Sequence, residues 1–200
     1  MSATYNPTAA EVKDVRERTG AGLMDCKRAL IDTGGDVEAA VKLLREQGIA
    51  KAAKRGDRTT AEGVVDSYIH GNGRIGVLVE VGCETDFVAN TEAFREFAHE
   101  VALQLSANAE TRWVSRDEVP QDLVESELDI YRAQASDKPE NVRDRIAQGK
   151  LDKWFETVCL LEQPYIRDGD HTIEQLRAGL AAQTQENVQI KRFARFERGR

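Results

Sequence analysis

At 200 residues, with 40% hydrophobic and 32% charged side chains, the chain has the composition of a globular protein of one or two domains with a real core. A net charge of −7 argues against wholesale binding of nucleic acid, whose phosphates need a basic face, and no apolar run reaches the length of a membrane span. Residues 1–15 lack the basic start and apolar middle of a signal peptide, so a cytoplasmic location is expected, where Cys26, Cys83 and Cys159 read as buried apolar residues rather than disulfide or metal pairs.

Thr8, with Glu11 three positions on, is a capping box that opens a helix whose buried stripe includes Val12 and Val15. Gly20-Ala21-Gly22 makes a tight corner, and a second helix runs from Leu23 to Asp32 with Cys26, Ala29 and Leu30 at helical spacing. Asp36 caps a third helix, striped by Val37, Ala40, Val41 and Leu44, which Gly48 is expected to close. Adjacent positions on a helix point about 100° apart, so Leu23 and Met24 cannot both sit inside so small a bundle. One of them is expected to form an exposed apolar spot.

Ile49 to Thr60, basic and alanine-rich, reads as a linker, in part helical. Glu62 to His70 and Arg74 to Glu80 read as strands joined by the turn Gly71-Asn72-Gly73, a β-hairpin. Cys83-Glu84-Thr85-Asp86-Phe87-Val88-Ala89-Asn90 follows as a turn into a helix that begins near Thr91 and is striped by Phe94, Phe97, Ala98, Val101 and Leu105. Phe87 there either folds back as a staple on that helix, with Phe94 as its neighbour, or is offered to another protein.

Ser115 with Glu118 is a weaker capping box leading to Val119, Leu123, Leu128 and Tyr131. Pro139 can start a short helix that Gly149 ends, and Leu151 to Leu161 reads as the next one, stopped by Pro164. Tyr165-Ile166 reads as extended, and Thr172 to Ala182 as helix. Asn187 to Glu197, rich in β-formers, reads as a strand returning to the hairpin. The expected fold class is α+β: three N-terminal helices, then a small three-stranded antiparallel sheet covered by helices.

Catalytic signatures are missing. The glycine turns lack a phosphate-loop context, and His70, His99 and His171 stand apart from any recognisable metal or nucleophile pattern. Two basic runs, Lys51, Lys54, Arg55, Arg58 and Lys191, Arg192, Arg195, Arg198, Arg200, are interrupted by Asp57 and Glu197, as solvated faces are. A binding module leads. An RNA- or ribosome-associated module using the basic runs competes with it, as does an enzyme whose site assembles across the fold.

Arg16 to Leu30 (RERTGAGLMDCKRAL), Gly35-Asp36, Ala39-Ala40, Cys83 to Val88 (CETDFV) and the closing Glu186-Asn187-Val188, Arg192-Phe193 and Arg195-Phe196 resemble the translation elongation factor Ts family. That family consists of guanine nucleotide exchange factors for elongation factor Tu, a GTPase, and the resemblance implies the same role here, with no catalytic residue, cofactor or metal of the chain's own. It implies a ubiquitin-associated-like module at residues 1–52, docking through Arg16, Leu23 and Met24, and a core domain at residues 53–200. Thr85, Asp86, Phe87 and Val88 become the stretch that disturbs the partner's magnesium and phosphate site. The chain resembles the short form of the family, a homodimer, its length leaving no room for a duplicated core subdomain, a coiled-coil insertion or an extra C-terminal module. No membrane and no direct nucleic-acid partner are expected.

Overall fold

The computed structural model describes residues 5–199, with the backbone alone for residues 49 and 51–53. Helix α1 (Ala9–Thr19) opens on the expected capping box. The Thr8 hydroxyl accepts the Glu11 N–H at 3.3 Å, and the Glu11 carboxylate accepts the Thr8 N–H at 2.7 Å. The Tyr5 hydroxyl donates to the same carboxylate at 2.5 Å, which holds Glu11 below the usual carboxylate range. Gly20, in the left-handed region at φ 65°, ends α1 by donating its N–H to Arg16 O at 2.8 Å. Helices α2 (Leu23–Asp32) and α3 (Val37–Ala53) follow, and the three share a small core of Val12, Val15, Cys26, Ala29, Leu30, Ala40, Val41 and Leu44.

The third helix does not stop at Gly48. It continues to Ala53, taking up much of the expected linker. Gly48 is buried, and a Cβ built on it would lie 4.0 Å from Ala182 Cβ of α8 (Ile173–Thr184). A glycine inside a helix costs about 1 kcal/mol. Packing between α3 and α8 offsets that cost, so the glycine marks a close approach rather than a stop.

Strands β1 (Glu62–His70) and β2 (Ile75–Cys83) pair antiparallel, and the turn between them places Gly71, Asn72 and Gly73 all at positive φ. The second strand runs past Glu80 to Cys83. Strand β5 (Gln189–Glu197) pairs antiparallel with β2 and completes a sheet of order β1-β2-β5, the returning strand read from the sequence. Val77, Val79 and Val81 point to one face and are buried against α5 (Glu92–Ala107) and α8. Phe94, Phe97, Val101 and Leu105 of α5 fill that layer, each such side chain contributing roughly 1.5–3 kcal/mol on burial. Helices cover this inner face.

The remaining chain departs from expectation in three places. Ser115 makes no side-chain cap; it precedes a 3-10 turn, Arg116–Glu118, and the Glu118 carboxylate instead accepts the Val114 N–H at 2.9 Å. Helix α6 (Gln121–Gln134) therefore starts after Pro120. Pro139 sits at the cap of one continuous helix, α7 (Glu140–Val158), which passes straight through Gly149. The two helices fold back on each other around Leu151, Phe155, Leu128 and Trp154, with Arg132 paired to Asp144 at 3.0 Å. A helical hairpin with its own apolar cluster is thus present despite the short chain. Finally, β3 (Pro164–Tyr165) and β4 (Asp168–Thr172) form a small second sheet, of which only the extended Tyr165 was legible.

All three cysteines are free and buried, as read from the sequence. Burial pushes the Cys83 thiol up to about 11 and Cys159 up to about 12, so both stay neutral and unreactive near neutral pH. Among the described residues no helix is long and apolar enough to cross a membrane.

Candidate functional site

Between the end of β2 and the start of α5 the chain makes one complete helical turn, α4 (Asp86–Ala89), where the sequence read as a strand-to-helix turn. Thr85 is its N-cap: extended at φ −128° and ψ 154°, it accepts the Val88 N–H on its hydroxyl at 3.4 Å. At the other end the Asn90 backbone N–H and side-chain amide both donate to Asp86 O, at 3.0 and 2.9 Å. Thr91 then donates to Val88 O at 2.8 Å and accepts the Phe94 N–H at 3.3 Å, opening α5. A one-turn helix has little cooperativity of its own. Side chains therefore hold it from both sides.

Within this turn Ala89 is buried and Val88 half-buried, whereas Asp86 is exposed and Phe87 is 82% exposed. Phe94 is fully buried in the main core. Phe87 does not fold back on the next helix, which removes the staple reading. Leaving a phenylalanine in water forgoes roughly 1.5–3 kcal/mol, so its place is not explained by the stability of this chain.

A second chain segment reaches this turn from far away in sequence. Glu186, just after α8, accepts the N–H groups of Glu84 and Thr85 at 2.9 and 3.1 Å and the Thr85 hydroxyl at 2.6 Å. In return Glu84 accepts the Asn187 N–H at 2.6 Å and Arg58 at 3.3 Å. Asn187, almost fully buried, donates its amide to Gly56 O and Arg58 O at 3.1 and 2.9 Å. Sequence reasoning noticed Glu186-Asn187 only as part of a resemblance and gave neither a role. Their partners lie about a hundred positions away, beyond any local pattern.

In the N-terminal helices both Leu23 and Met24 are exposed, by 56% and 65%, one more than the geometry of adjacent positions required. Arg16 is exposed on α1 and lines a cleft between the N-terminal helices and the core, across from Glu96, Glu100 and Asp168. Leu23, Met24 and Phe87 do not line that cleft, so it does not bring Arg16 together with them.

Residues 22–200 match the family model of elongation factor Ts. The elongation factor Ts of Caldanaerobacter subterraneus subsp. tengcongensis is 56% identical over 194 residues, which is 96% of each chain. Those of Thermoanaerobacter pseudethanolicus and Carboxydothermus hydrogenoformans are 53% and 52% identical over 96% of this chain and 95% and 89% of their own.

The chain belongs to the elongation factor Ts family. It is a nucleotide exchange factor that binds elongation factor Tu in translation elongation, a cytoplasmic translation factor and not an enzyme.

For an exchange factor the two basic runs need another explanation, and internal contacts supply it for Arg55, Arg192 and Arg195. Arg55 donates to Ala181 O at 3.4 Å and to Gln185 at 3.1 Å, at the C-terminal end of α8. Arg195 donates to Leu105 O at 3.2 Å and Ser106 O at 3.5 Å, the last carbonyls of α5. Cations at helix C-termini satisfy orphan carbonyls and the helix dipole. Arg192 pairs with Glu80 across the sheet at 2.6 Å. The Lys51 side chain and Arg200 lie outside the described residues.

Proposed function

We propose that this elongation factor Ts releases nucleotide by inserting Phe87 against the elements of elongation factor Tu that hold its magnesium ion and nucleotide phosphates. Asp86 acts beside it through charge or hydrogen bonding, and Thr85 and Val88 shape the turn. The observation that carries the reading is a phenylalanine 82% exposed on a turn tied down at both ends. A buried aromatic at the centre of an interface is the usual form of a binding hot spot. Because the turn is held before the partner arrives, little ordering remains to be done on binding.

Exchange requires no bond-making chemistry. A factor that weakens nucleotide binding is itself weakened by nucleotide in the same ratio. A thousandfold weakening corresponds to about 4 kcal/mol of coupling, whereas burying one phenylalanine supplies roughly 1.5–3 kcal/mol. Phe87 therefore works with a second contact. Residues 1–52 are the docking module in this reading, with Leu23 and Met24 as its apolar spot and Arg16 as a further contact on α1, and residues 53–200 are the core domain that carries the wedge.

A second copy of the chain completes the assembly. The face of the sheet away from α5 and α8 carries Val65, Ile69, Leu78 and Phe196, all exposed. The register sets Ile69 beside Gly76 and Gly76 beside Phe196, with Leu78 next to Ala194 in the following row. An apolar sheet face of this kind is self-complementary about a two-fold axis, the commonest closed symmetry. Light scattering is expected to return twice the 22.3 kDa chain mass, with or without reductant. A monomer mass at micromolar concentration would remove the homodimer from the reading.

The wedge is tested by mixing catalytic amounts of the factor with elongation factor Tu preloaded with fluorescent GDP. Wild type accelerates release, and Phe87→Ala slows the maximal rate by roughly tenfold or more, about 1.4 kcal/mol per decade. Unchanged release by a folded Phe87→Ala protein would show that the wedge has been assigned to the wrong residue.

A further inference from the structure

We infer that Glu186 and Asn187 are positioning residues for exchange: the corner after α8 is a latch that fixes the Phe87 turn and joins it to the segment leading from the N-terminal module. The inference rests on the reading of Phe87 as the wedge.

The geometry is reciprocal. One Glu186 carboxylate takes both backbone donors that precede α4 and the hydroxyl of its N-cap, with three bonds between 2.6 and 3.1 Å. The Thr85 hydroxyl has one proton. Donating it to Glu186 leaves a lone pair free to accept the Val88 N–H, so the cap and the latch use the same group without competing. Bonds to an ionised carboxylate are the stronger kind. On the other strand of the latch, Glu84 takes the Asn187 N–H and the Arg58 guanidinium.

The corner itself is fixed from the opposite side. Gln185 ends α8 in the left-handed region at φ 62°, and its side-chain oxygen accepts from Arg55 at 3.1 Å. Asn187 and Gln189 both donate to Gly56 O, at 3.1 and 3.0 Å, and Asn187 also to Arg58 O. Residues 55–58, which leave the N-terminal module, and residues 84–85, which lead into the wedge, thus bind the same short stretch, residues 185–189, through different atoms, and Arg58 also donates to Glu84 directly. The corner is the shared support through which docking at one spot bears on insertion at the other.

The test uses the full chain and fluorescent-GDP release from elongation factor Tu, reading the maximal rate and the half-saturating factor concentration separately. Glu186→Ala is expected to lower the maximal rate by roughly tenfold with half-saturation changed by no more than about twofold, because the wedge is misplaced while docking persists. Glu186→Gln, which keeps an oxygen for the two N–H donors, is expected to recover part of the loss. Adding Phe87→Ala to Glu186→Ala should cost almost nothing further, and amide exchange at Glu84 and Thr85 should speed up in the Glu186 variants. Should Glu186→Ala fail to fold, Thr85→Val removes the hydroxyl from the same bond and is expected to show the same signature at smaller size. A normal maximal rate for a folded latch variant, or losses that multiply in the double mutant, overturns the latch while leaving the wedge. A normal rate for Phe87→Ala removes the wedge, and the latch with it.

Discussion

Phe87 and the Leu23–Met24 pair are both large, apolar and exposed, yet the backbone beneath them is built differently. Under Phe87 lies a threonine-capped turn whose preceding N–H groups are bound by a carboxylate from the far end of the chain. Under Leu23 lies Gly20-Ala21-Gly22, and Gly22, the N-cap of α2, offers no side chain to the helix. The Ala21 N–H reaches Thr19 Oγ1 at 3.3 Å, and the Cys26 thiol, a weak donor, reaches Ala21 O at 3.6 Å. A group that must enter a partner at one place gains from a fixed support, since misplacement is costly. A patch that lies on a surface tolerates adjustment. On the proposed function, the two spots are one rigid tool and one compliant contact.

The sharpest way to break that contrast compares two phenylalanines. Phe94→Ala should cost about 3–5 kcal/mol of folding stability, as a buried aromatic does, whereas Phe87→Ala should leave the urea midpoint unmoved. Equal losses would mean that the turn is part of the core.

Next in size is a difference of kind in the exchange assay. Changing Leu23 and Met24 together to serine should raise the half-saturating concentration about tenfold, near 1.4 kcal/mol, with little change in maximal rate. Phe87→Ala should do the opposite. If both variants shift the same parameter, rigid and compliant roles are not separated.

Smaller effects address the supports. Thr85→Ala removes a cap and should cost about 1 kcal/mol in thermal unfolding. Gly22→Ser adds one at a backbone conformation (φ −62°, ψ 146°) open to any residue, and should stabilise by roughly 0.5 kcal/mol. If docking needs a compliant corner, the stabilised variant binds the partner more weakly, and unchanged affinity would show that compliance there is incidental.

The smallest effect near neutral pH concerns Cys83, beneath the rigid turn, whose thiol donates to Thr85 O at 3.1 Å. Its ordinary value of 9.0 is raised by burial to about 11, so the folded state disfavours the thiolate. That contribution is fully present below about pH 9 and is lost as pH rises toward about 11, because the unfolded chain releases the proton first. A thiol reagent at neutral pH should leave the native protein unlabelled, and an alkaline series of melting temperatures should fall through that window. Rapid labelling of Cys83 in the native state would show that the turn opens readily.

What the sequence disclosed follows the reach of each interaction. The Thr8–Glu11 box, the glycine turn at 71–73 and the Phe94 to Leu105 stripe are local patterns, and the elements they announce are present. Gly48 and Gly149 misled because a glycine costs a helix only about 1 kcal/mol. At Gly48 contact with α8 outweighs that cost, and around Gly149 the buried Ala147 and Leu151 do. The one-turn α4 was invisible because much of its support comes from Glu186, more than a hundred residues on. Leu23 and Met24 were legible as adjacent apolar positions and Phe87 as an aromatic on a turn, whereas Arg16 and the role given to each residue came from the family resemblance. Their exposure, and the contrast in what lies beneath them, needed the three-dimensional arrangement.

Because α3 passes through Gly48 to Ala53, the spacing between the N-terminal helices and the core counts in angle as well as in length. Each helical residue advances the chain by about 1.5 Å and turns it by about 100°. A single residue inserted after Gly48 would therefore change the reach of the N-terminal helices very little, yet would swing Leu23 and Met24 more than a quarter turn about the helix axis. A coil linker would absorb such a change. A helix turns it into a different heading, so on this protein the direction in which Leu23 and Met24 face is written into the residue count of α3.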